Sequence, residues 1–88
     1  MKTVVIYRPN SDHGRKVEDF LRDFQRLHPE LRVEALNIDS RDGTAMATLY
    51  DVLAYPAIMV LQNDGQMQKY WQGDNLPLMD EVASYARQ

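Results

Sequence analysis

The sequence contains no cysteine, and that absence alone removes disulfides, thiolate catalysis, persulfide chemistry and thiolate metal sites. It also leaves the redox compartment unreadable. Glycine and proline are sparse, at four each, so each marks a particular place in the chain rather than a flexible tract. Basic residues are outnumbered, ten Lys and Arg against thirteen Asp and Glu for a formal net charge of −3, which argues against general binding to nucleic acid or an anionic membrane. The longest apolar run, Leu53 to Leu61, is too short to span a bilayer. Met1 to Tyr7 breaks off into Arg8-Pro9-Asn10, short of a signal-peptide core with its cleavage site, so cytoplasm is the expected location.

What is present is an ordinary globular balance, 44% hydrophobic and 26% charged. Eighty-eight residues supply one core, so one domain over 1–88 is expected. Its centre is Ala57 to Leu61, an unbroken apolar segment of the kind buried on both faces of a sheet, with Tyr55-Pro56 at its mouth where a missing N–H is tolerated.

Around that strand the chain reads as α/β. Thr3 to Tyr7 is a short buried strand. A helix follows, capped by Ser11 or Asp12, with Val17, Phe20, Leu21, Phe24 and Leu27 on its apolar stripe and His28-Pro29 ending it. Leu31 to Ile38 alternates loosely as a second strand, which makes a right-handed, parallel βαβ unit. A second helix is expected at about 43–51, offering Ala45, Met46, Leu49 and Tyr50 for packing. Beyond the central strand, Gln62-Asn63-Asp64-Gly65 predicts a tight primed hairpin turn into an antiparallel edge strand, Gln66 to Gln72, guarded by Lys69. Tyr70 and Trp71 must point to opposite faces of it. After the break at Gly73-Asp74-Asn75, Pro77 stands near the start of a last helix whose stripe is Met79, Val82, Ala83 and Ala86.

Leu36-Asn37-Ile38-Asp39, Gly43-Thr44-Ala45 and Tyr50-Asp51-Val52-Leu53-Ala54-Tyr55-Pro56-Ala57 resemble the stretch of thioredoxins that leads into their cis-proline. The element order is similar to that superfamily over nearly the whole chain, and by size it is nearer the compact glutaredoxin-like proteins. The resemblance implies a thioredoxin-like fold, β-α-β-α-β-β-α, with a four-stranded mixed sheet and helices on both faces. It also implies a cis Tyr55-Pro56 bond whose backbone borders a ligand groove. The family's Cys-x-x-Cys motif falls here on Ser11-Asp12-His13-Gly14, a degenerate motif position. Serine cannot form the mixed disulfide through which exchange proceeds, so thiol–disulfide oxidoreductase activity is excluded.

Several functional readings of these residues stand side by side. Ser11, Asp12 and His13 are neighbours in one loop and not a convergent triad; their helix-capping role is set against an anion site formed by Arg8, His13 and Arg15 at the helix N-terminus. Asp74 matches, by resemblance, the acidic position that takes the glutamyl amine of glutathione in glutaredoxin-like and glutathione-transferase domains, or it is a turn residue. His13 and His28 lie at opposite ends of one helix, which argues against a metal site, and the methionines read as core filler. The leading expectation is a redox-inactive binding module, not an enzyme and without cofactor, holding a protein segment at its Tyr55-Pro56 groove or an edge strand. The alternatives are a glutathione or small-anion binder using Ser11, Pro56 and Asp74, and a structural subunit pairing through an edge strand.

Overall fold

The structure is a computed structural model that describes residues 1–87. Its elements run β1 (Lys2–Tyr7), α1 (Gly14–Leu27), β2 (Val33–Asn37), α2 (Arg41–Leu49), β3 (Ala57–Leu61), β4 (Met67–Gln72) and α3 (Met79–Ala86). The four strands form one sheet in the order β2-β1-β3-β4. β2 runs parallel to β1, and β3 is antiparallel to both β1 and β4. The element order and the mixed sheet are those expected from the sequence.

Strand alternation divides the apolar residues between two faces. Val5, Tyr7, Ile58 and Val60 face one side, where Val17 and Phe24 of α1 and Val82, Ala83 and Ala86 of α3 cover them. Val4, Ile6, Ala57, Met59 and Leu61 face the other, where Ala47 of α2 and Val52 close a smaller core. β3 is buried along its whole length, as an unbroken apolar segment requires. Trp71 and Tyr70 divide as alternation demands. Trp71 meets Tyr85 of α3 edge to face at 5.7 Å between centroids with Lys69 above both rings, while Tyr70 joins the α2 side.

Four expectations need correction. Neither Ser11 nor Asp12 caps α1: the N-cap position is His13, which makes no side-chain capping bond, and the Ser11 hydroxyl instead donates to the Arg8 carbonyl at 2.6 Å. Leu27 is half exposed, because the buried line of α1 runs through Val17, Phe24 and His28, and a residue one place before His28 is turned away from it. α2 starts two residues early. Ser40 caps it by accepting from the Gly43 N–H at 3.0 Å, so Gly43 and Ala47 are buried while Ala45 and Leu49 face outward. A side chain on Gly43 would overlap the Asn37 carbonyl, so this glycine serves close approach rather than helix breaking. The hairpin closes through Asn63-Asp64-Gly65 with only Gly65 at positive φ, 89°, in place of a two-residue primed turn. The ladder beyond it slips by one residue between Val60–Lys69 and Leu61–Met67.

Candidate functional site

Four loops meet at the end of the sheet where β1, β2 and β4 finish and β3 begins: residues 8–13, 38–40, 53–56 and 73–76. β1 feeds a helix on one face and β2 a helix on the other, so the chain diverges here and leaves a crevice at the strand ends.

Side chains and backbone tie these loops together. Arg8 forms a two-point ion pair with Asp39, Nε to Oδ2 at 3.1 Å and Nη2 to Oδ1 at 3.2 Å. The hydrogen bond that Arg8 donates to Asp39 holds its guanidinium above its ordinary pKa. The Arg8 N–H donates to His13 Nε2 at 3.1 Å. Burial, and after it the hydrogen bond to Glu18 at 3.2 Å, pushes the Tyr7 phenol up. The Tyr55–Pro56 peptide bond is cis. Pro56 is buried, and its carbonyl accepts from the Gly73 N–H at 2.9 Å. Lys16 Nζ donates to the Asp74 carbonyl at 3.1 Å, which joins the first turn of α1 to the segment after β4.

The residues singled out in the sequence therefore fall into two groups. Pro56 and Asp74 lie on loops held together by the Gly73 and Lys16 bonds, with Gly14 buried at the start of α1, where a side chain would overlap the Pro9 carbonyl. Arg8, Ser11 and His13 are joined to one another within their own loop. They do not form an open anion cradle: Asp39 occupies the guanidinium, the Arg8 N–H occupies one imidazole nitrogen, and Arg15 and Asp12 are exposed. Among the described residues no group of three His, Asp or Glu could hold a metal, and no helix is long and apolar enough to cross a membrane.

Beside Tyr55 lies a concavity of about 310 Å³ lined by Ile38, Thr44, Ala47, Thr48, Asp51, Val52, Leu53 and Tyr55. Its floor is apolar. Leu53, one of its lining residues, is 87% exposed. In the sequence Leu53 stands at the head of an apolar run and reads as core. The available signal was its place before Tyr55-Pro56: the strand starts at Ala57, and residues ahead of the proline lie outside the sheet. Asp39 was missed as the partner of Arg8, since a pair separated by thirty-one positions has no local signature.

No family model and no curated protein matches the sequence. Solved structures do match in shape. Mitochondrial thioredoxin 3 from Saccharomyces cerevisiae superposes with a TM-score of 0.71 at 18% identity over 97% of this chain and 74% of its own. Thioredoxin from Trypanosoma brucei brucei gives 0.75 at 13% identity over 98% and 71%. Thioredoxin 1 from Thermosipho africanus gives 0.71 at 10% identity over 99% and 91%. At such identities the likeness is one of fold, and the chain has a thioredoxin-like fold with no cysteine anywhere in it.

Proposed function

We propose that this domain is a redox-inactive binding module that holds an extended protein segment in the groove beside Tyr55-Pro56. The observation that carries this reading is the pairing of an apolar concavity with Leu53 held 87% exposed on its rim. An exposed leucine alone requires no explanation, but one bordering a concavity floored by Ile38, Ala47 and Val52 supplies an anchor and a pocket together. The absence of cysteine removes thiol chemistry from the groove, which supports a binding role for it. The Asp39 carboxylate already neutralises Arg8 at this end, which favours a polypeptide over glutathione or a small anion.

The test is selection of displayed random peptides on the parent protein, with Leu53→Asp as the counter-target. Leu53 makes no core contact, so the variant folds. The expected result is a peptide family bound at least about tenfold more tightly by the parent than by the variant. Absence of any enriched family, or equal binding to Leu53→Asp, removes the proposal. Saturable binding of reduced glutathione, weakened by Asp74→Ala, would replace it with the small-ligand reading.

A further inference from the structure

The concavity beside Tyr55 has a polar side as well as an apolar floor, and its polar side chains all offer the same thing to a guest. The Thr44 hydroxyl donates to the Ile38 carbonyl at 2.9 Å, and the Thr48 hydroxyl donates to the Thr44 carbonyl at 3.0 Å. The Tyr55 hydroxyl is turned to the Val52 carbonyl at 3.5 Å. With their hydrogens directed into the protein, these three oxygens keep only lone pairs for an incoming group. The fourth polar side chain of the lining is Asp51, an exposed carboxylate that among the described residues has no ion pair and no side-chain hydrogen bond. No Lys, Arg or His lines the concavity. Arg8, close enough to Tyr55 to sense its charge, is already matched by Asp39 at 3.1 and 3.2 Å.

We propose that this concavity takes a lysine or arginine side chain of the bound segment. The inference rests on the reading of the groove as a peptide site, and it names what that peptide carries. A cationic side chain suits both halves of the lining at once. Its methylene stem lies on Ile38, Ala47 and Val52, and its head, which has donors and no acceptor, meets the Asp51 carboxylate and the threonine oxygens. A carboxylate in the same place finds no donor among the lining side chains and meets the charge of Asp51, and an amide leaves its own oxygen without a side-chain donor. An aliphatic side chain fills the floor but takes water from Asp51 without replacing it. The formal net charge of −3 over the chain attracts a basic segment in the same sense. Leu53 on the rim is then met by an apolar residue beside the lysine or arginine, so the expected partner is an extended segment with one basic residue next to an apolar one.

The displayed-peptide selection tests this as well, with Asp51→Asn added as a second counter-target. Asp51 stands at φ 54°, in the left-handed region that asparagine also adopts, so the variant folds and loses only the charge. The enriched family is expected to carry Lys or Arg at one fixed position and to bind Asp51→Asn about fivefold more weakly than the parent. Replacing that basic residue of the peptide by norleucine is expected to cost about as much, with no further loss when both changes are combined, because the two remove one interaction. An enriched family with no fixed basic residue, or one that binds Asp51→Asn as tightly as the parent, overturns the inference and leaves the groove reading in place so long as Leu53→Asp weakens binding. Failure of any family to emerge, or equal binding to Leu53→Asp, removes the groove reading and this inference with it.

Discussion

At the scale of single residues, Gly14 sets two principles in opposition and the contacts decide between them. Helix propensity favours Ala over Gly by about 1 kcal/mol, so Gly14→Ala in α1 would be stabilising on that ground. A side chain there overlaps the carbonyl of Pro9, which is backbone and cannot turn aside. Gly14→Ala is therefore expected to destabilise the protein, by roughly 1–3 kcal/mol as other overpacked positions do, read as a fall in the urea midpoint. An unchanged or raised midpoint would show that loop 8–13 yields freely.

Tyr7 gives a second prediction at the same scale. Burial, followed by the bond to Glu18, raises its phenol pKa, and Tyr70 is raised by burial and by Tyr55. A phenol raised in the folded state stays neutral after the unfolded chain has ionised, so the contribution of these groups is complete below the ordinary tyrosine value of 10.0 and is lost above it. Urea midpoints are expected to fall as pH rises beyond about 10, and less steeply in Tyr7→Phe; an identical alkaline slope in the variant would mean that Tyr7 takes no part.

At the scale of elements, two large apolar residues mark opposite uses of hydrophobic surface. Phe24 is fully buried between α1 and the sheet, stacked on Phe20 at 5.8 Å and against His28 at 5.2 Å. Phe24→Ala is expected to cost roughly 3–5 kcal/mol, and Leu53→Ala to leave the midpoint within about 0.5 kcal/mol. Chemical denaturation of both variants checks the pair. A Leu53→Ala loss as large as that of Phe24→Ala would place Leu53 in the core and remove the rim it provides.

The elements were legible in the sequence wherever periodicity spoke. The stripe of α3 and the line of α1 through Val17 and Phe24 follow from spacing, β1 and β3 from β-branched and unbroken apolar composition, and the antiparallel hairpin from Asp64-Gly65. Boundaries were less legible where one side chain decides them. Ser40 starts α2 two residues before the glycine that looked like its beginning, and the loop before Gly14 holds its shape through the Arg8 backbone rather than a capping serine. The site was legible only in part. Tyr55-Pro56 could be singled out because proline has few permitted places, whereas the Arg8–Asp39 pair and the exposure of Leu53 arise from chain segments brought together by folding.

At the scale of the whole molecule, a sheet covered on both faces gathers its loops at one end. The groove carries the central claim, and the measurement that tests it most directly is an amide-shift titration of the labelled protein with a display-selected peptide, set beside reduced glutathione and phosphate. The expected outcome is saturable shifts at Ile38, Leu53 and Tyr55 with the peptide alone. No saturable peptide shifts there, or shifts with glutathione centred on Ser11 to His13 and Asp74, would contradict it.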